Sequence, residues 1–230
     1  MNYKARTFGG STSQYVKKEN KRGVKIYKPE IQTVDIKLEI QMMKSIPQKF
    51  FLTVPIYSWR YPSLEMFDAD DDLDHFLWQV RSNPRFNDII TYVLTEVSNG
   101  CLLLNSLNIC HGDLHAGNIV FVRKYPNDIF PYLYFVDWGY SNYYLDDFEA
   151  TKKHELICKF QIEKTAEDED YFEDHFFRRP FKGDYEYDWY FFIYNLILAY
   201  PILRTHSFFS PSTFIALECY INRYKYYDKW

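Results

Sequence analysis

His111-Gly112-Asp113-Leu114-His115-Ala116-Gly117-Asn118, with Asp137-Trp138-Gly139 further along, is the stretch on which the reading of this 230-residue chain turns. It follows a long helical pattern, about Phe86 to Leu107, in which Ile89, Ile90, Val93, Leu94 and Val97 form one apolar stripe. Two β-like runs, NIVFVR and YLYFVDW, then flank the turn-rich YPND. Asp113 and Asn118 therefore fall on a loop, and Asp137 falls at a strand end across a hairpin. A loop joined to a hairpin can gather two carboxylates and an amide around one point. Phosphoryl transfer needs such a set: one carboxylate to orient an incoming hydroxyl and take its proton, and oxygen ligands to hold magnesium on phosphates. The bland alternative, a polar turn and a strand-end cap, leaves the pairing of the two motifs unexplained.

Upstream, the pattern is strand-rich with one helix. Gly9-Gly10-Ser11-Thr12-Ser13 lies between potential strands. In GVKIYK, Val24, Ile26 and Lys28 alternate with Lys25 and Tyr27, a period of two that predicts a strand ended by Pro29. A helix is expected over Thr33 to Ser45, where Val34, Ile36, Leu38, Met42 and Met43 fit a stripe only loosely, and Pro47 stops it. FFLTVPIYSW and PSLEMF read as two more strands. The acidic run Asp68 to Asp74 suits the start of a helix reaching about Val80, and Ser82-Asn83-Pro84 is a loop. Region 145–187 is polar and irregular, with an acidic patch at Glu167 to Asp170. A last apolar helix begins near Tyr187, and Pro201 divides it from a short helical region. This order predicts an α+β chain in two lobes. A small β-rich lobe spans about 1–65 and a trimmed, mainly helical one 66–230, in a single domain with a cleft between them.

Composition narrows the classes. Hydrophobic residues at 47% and charged residues at 25% describe a globular protein. The 20% of aromatics are read mainly as core. A net charge of -4 gives no basic field, so no nucleic-acid partner is expected. The four cysteines form no CxxC pair, and a zinc site of Cys110, His111 and His115 is set aside because Asp113 between them has a better role. The longest apolar stretch, about Trp189 to Leu203, is broken by Asn195 and Pro201, so no membrane span is expected. The opening MNYKARTFGG is polar, and the expected location is intracellular and cytoplasmic.

HGDLHAGN followed by DWG resembles the catalytic loop and metal-binding motif of the protein-kinase-like superfamily. The HGDLHxxN form is similar to aminoglycoside and choline phosphotransferases and to divergent kinases of large DNA viruses. The resemblance implies ATP and Mg2+ as cofactors, Asp113 as catalytic base, and Asn118 and Asp137 as metal ligands. It implies that Lys25, or its rival Lys28, binds the α/β-phosphates with Glu39 as helix partner. Lys25 is preferred because it faces opposite Val24 and Ile26. Gly9, Gly10 and Val16 would stand in the phosphate loop and over adenine, Glu65-Met66-Phe67 would form the adenine-binding hinge, and Asp188 would brace the catalytic loop. The expected acceptor is Ser/Thr of a protein, which makes a protein substrate the expected partner; a small-molecule alcohol, which the HGDLH form favours, and a non-catalytic binding module are the alternatives. Four departures stand out. Only one of three spaced glycines is kept, Gly112 replaces the arginine before the aspartate, His115 replaces a lysine, and no APE-like triplet precedes Asp188.

Overall fold

Valine, isoleucine and tyrosine in Arg22–Tyr27 suit a pleated, half-buried strand, and Pro29 lies just beyond its end. A computed structural model of the chain describes residues 7–9, 13–18, 21–47, 52–143 and 187–209. This strand, β3, lies between β2 (Ser13–Lys18) and β5 (Ser63–Phe67) in an antiparallel sheet. With β1 (Thr7–Gly9) and β4 (Ile56–Arg60) the order is β1-β2-β3-β5-β4. Helix α1 (Thr33–Ser45) carries Asp35 in its first turn and Lys44 in its last, both of which complement its dipole. Its loose stripe has a reason in the packing. Ile36, Leu38, Ile40, Met42 and Met43 are all buried, because the helix is enclosed on more than one side and also contacts the 3-10 turn Trp138–Tyr140.

The second half of the architecture starts at β6 (Asp71–Asp72) and α2 (Leu73–Val80), which Asp72 caps by accepting the His75 N–H at 2.8 Å. Helix α3 (Phe86–Ser106) buries the expected stripe and continues it through Cys101 and Leu104. On that face, a Cβ at Gly100 would lie 2.6 Å from Phe135 Cζ, so only glycine lets the hairpin close on the helix. Asn108, at φ 56, turns the chain out of α3 into β7 (Ile109–Cys110). The hairpin of β8 (Ile119–Val122) and β9 (Tyr132–Phe135) runs in register from Ile119↔Phe135 to Val122↔Tyr132, with β6 on the far side of β8. β10 (Asn142–Tyr143) returns to β7, pairing Asn142 with Cys110. Both motif-bearing segments are thus held at each end by paired strands. Helix α4 (Tyr187–Ala199) and a 3-10 turn at Pro201–Thr205 follow.

The described chain is mixed α+β, and its buried apolar side chains, drawn from the first sheet, α1 to α4 and the hairpin, form one continuous core. One strand is shorter than expected. Leu52 to Val54 lie outside the ladder with β5, whose register begins at Ile56; Thr53 instead bridges Phe135, and the Phe135 N–H donates to Leu52 O at 2.8 Å. This contact ties the segment after α1 to the hairpin, a tertiary pairing with no local signature. Among the described residues no helix is long and apolar enough to cross a membrane. Gly10, the acidic patch Glu167 to Asp170 and the rest of 145–186 lie outside the described residues.

Candidate active site

Lys25 and Tyr27 are two apart on β3 and so share a face, which the sheet turns toward α1. There the Lys25 ammonium meets Glu39 Oε1 at 2.6 Å and Asp137 Oδ1 at 2.8 Å. The lysine is 7% exposed and the glutamate 4%. Burial pushes the Lys25 ammonium toward release of its proton, but the charges of Glu39 and then Asp137 outweigh it and leave the pKa above the ordinary value. Burial likewise lifts the Asp137 carboxyl, and the facing ammonium wins there too, leaving it below the usual carboxylate range. The expected pairing of strand lysine and helix glutamate is therefore present, and it is made by Lys25. One feature of the face was not expected. Ile26, apolar, is 36% exposed, while Lys25 and Tyr27 on the other face are buried along with Val24.

Asp137 reaches the lysine through its backbone. It sits at φ 63 and ψ 65, left-handed space that a non-glycine residue occupies at a cost of about 1–3 kcal/mol. The Val136 N–H on one side of it donates to Asn118 O at 2.9 Å, so the hairpin register sets Asp137 beside the loop. Within the loop the Asn118 amide nitrogen donates to Asp113 O at 2.9 Å and Asp113 Oδ2 at 3.2 Å. That commitment turns the amide oxygen the other way. Asp113, Asn118 and Asp137 are thus brought together with Lys25 and Glu39.

The loop is braced from beneath. Asp188, in the first turn of α4 and 3% exposed, accepts His111 N–H at 2.7 Å and Gly112 N–H at 2.9 Å. Burial outweighs these donors and pushes its carboxyl up to about 6. Gly112 takes φ 82, a conformation that glycine adopts readily and L side chains rarely do. The wholly buried His111 ring meets Val136 O at 3.0 Å through Nε2, and burial lowers its pKa to about 4, so it is neutral near pH 7. His115 Nδ1 accepts the Gly117 N–H at 3.1 Å, and its Nε2 lies 3.9 Å from Asp113 Oδ2. Both histidines hold loop geometry. Neither joins Cys110, whose thiol faces Asp188 at 3.5 Å, in a metal set. Among the described residues no three His, Cys, Asp or Glu side chains converge on a metal site.

Comparison with protein-family models and with curated proteins finds no match. The site must be judged on its own geometry.

Other expected residues fare differently. Glu65 and Phe67 lie inside β5, opposite Val24 and Arg22, and the Phe67 N–H donates to Pro55 O at 2.9 Å. The backbone expected to act as hinge thus lies within a paired strand, and just after it the Asp68 N–H donates to Lys21 O at 2.9 Å. Gly9 ends β1, and Val16 in β2 pairs with Val24. The acidic run makes several internal ties. Asp70 takes Lys21 Nζ at 3.0 Å and the Arg123 N–H at 2.7 Å, and Asp71 meets His75 at 2.7 Å. Sequence reasoning missed Tyr27, whose hydroxyl donates to Glu39 Oε2 at 2.8 Å. Its place two residues after Lys25 on one strand face was the available signal.

Proposed function

We propose that the chain is an ATP- and magnesium-dependent phosphotransferase that carries the γ-phosphoryl group to a hydroxyl, with Ser/Thr of a protein as acceptor. The observation that carries this reading is the Lys25 ammonium held by both Glu39 and Asp137, with Asp137 one residue beyond a backbone bond to Asn118. In this reading the first sheet and α1 form the smaller lobe, the helices and hairpin form a trimmed larger one, and nucleotide occupies the cleft. Lys25 orients the α/β-phosphates. Asp113 takes the proton of the acceptor hydroxyl as its oxygen bonds to the γ-phosphorus and the bond to ADP breaks.

The donor set fits magnesium, which takes one or two protein oxygens and completes its shell with phosphate and water. Asp137 supplies a carboxylate whose side chain is 43% exposed, and Asn118 an amide oxygen whose nitrogen is already committed. When bound, the ion would neutralise charge on the phosphates.

A second reading, a small-molecule alcohol as acceptor, is favoured by one feature: His115 stands where a lysine would serve protein kinases, with its ring tied back to Gly117. Incubation with radiolabelled ATP, magnesium, generic protein acceptors and a panel of amino alcohols and aminoglycosides separates the two. Label on protein supports the first reading and label on a small molecule the second. Asp113→Asn should lower either transfer by about 10²–10⁴-fold. Nucleotide binding without any transfer would leave a binding module in place of an enzyme.

A further inference from the structure

We propose that Tyr27 is a positioning residue that fixes the Glu39 carboxylate through its hydroxyl, so that Lys25 keeps its partner when Asp137 turns toward metal. The inference rests on the phosphotransferase reading above and adds to it a residue that the motif carries no trace of.

Glu39 is a long side chain on a helix, and a single ion pair fixes only one of its oxygens. In this site both oxygens are engaged: Oε1 by Lys25 Nζ at 2.6 Å, Oε2 by the Tyr27 hydroxyl at 2.8 Å. The tyrosine is itself 3% exposed, and its ring lies 5.0 Å from the lysine ammonium, so it touches both members of the pair. Because β3 delivers Lys25 and Tyr27 on one face, the strand grips α1 at two points along one carboxylate. Burial, and then the glutamate charge, raise the phenol above its ordinary range, and it stays a donor throughout the working pH range.

The need for a second grip follows from the first. Lys25 has two anionic partners, and one of them, Asp137, is the residue assigned to metal. Once that carboxylate is shared, a buried ammonium depends on Glu39. A carboxylate free to rotate would release Lys25 from the phosphates; one clamped at Oε2 does not.

The test is a cycle on the full chain: wild type, Tyr27→Phe, Glu39→Met and the double variant. Each is titrated with magnesium and a non-hydrolysable ATP analogue, and thermal melts confirm folding. Phenylalanine keeps the ring and its packing and removes only the hydroxyl. Tyr27→Phe is expected to weaken analogue binding about tenfold, and to raise KM for ATP more than it lowers kcat. In the Glu39→Met background the same change should cost less than about twofold, because the group it acts on is gone. Unchanged affinity in Tyr27→Phe, or equal losses in both backgrounds, would overturn the proposal and leave Tyr27 as packing. Those outcomes differ from failure of the underlying reading, in which the wild type neither binds the analogue nor turns over ATP and both ideas fall.

Discussion

At the scale of single residues, the balance between burial and partners decides the charge states. An ammonium removed from water loses several kcal/mol of hydration, and Lys25 recovers it from carboxylates at 2.6 and 2.8 Å. Lys25→Met should therefore destabilise the fold by about 3 kcal/mol in urea denaturation, by leaving Glu39 buried without its cation. His111 and Asp188 give a pH prediction. His111 falls from 6.5 to about 4 on folding, so its contribution is full above pH 6.5 and is lost as pH drops toward 4. Asp188 rises from 3.8 to about 6, so its contribution is full below pH 3.8 and is lost as pH climbs to 6. Each amounts to about 3 kcal/mol, and between pH 4 and 6 they oppose one another. Asp188→Asn should expose the histidine slope, with stability falling as pH goes from 6.5 to 4; a level profile in that variant would mean His111 is not held neutral. That Asp113, Asn118 and Asp137 lie together was legible, because a loop and a hairpin end are marked by local spacing. The burial of Lys25 was not, since nothing in GVKIYK says which strand face meets a helix.

Among the elements, the long helices and the hairpin were legible because periodicity and turn residues are local. α3 runs Phe86–Ser106 where Phe86 to Leu107 was expected, and α1 matches Thr33 to Ser45. What local spacing did not show was set by contact: Leu52 and Thr53 pair with β9, while Pro55 O accepts the Phe67 N–H of β5. The α3–β9 junction makes the sharpest prediction at this scale. Gly100→Ala places a methyl against the buried Phe135 ring, with Leu52 Cδ2 also within 3.1 Å. Neither neighbour is a loose surface group, so overpacking of about 1–3 kcal/mol is expected. Calorimetry should show a melting temperature lower by roughly 2–12 °C, at about 2–4 °C per kcal/mol for this size of chain. Asp188 works across elements as well, tying the start of α4 to the backbone of His111 and Gly112.

For the whole molecule, the proposed function predicts that nucleotide will stabilise the fold. Magnesium and ATP at about 100 times the dissociation constant should add about 2.7 kcal/mol, or roughly 5–10 °C in a thermal shift. Chelation of magnesium should remove part of that gain in the wild type and none in Asp137→Asn. Equal dependence on magnesium in both proteins would take Asp137 out of the metal set. The sequence alone determined the order of the elements, the α+β class and the identity of the polar residues in the two motifs, because these follow from local spacing and side-chain chemistry. Tertiary structure alone decided that Lys25 meets a carboxylate 112 residues away, that Tyr27 holds Glu39, and that the acidic run from Asp70 to Asp72 serves ties and a helix cap. Partners so far apart in sequence are chosen by strand register and helix packing, and neither leaves a periodic mark on the chain.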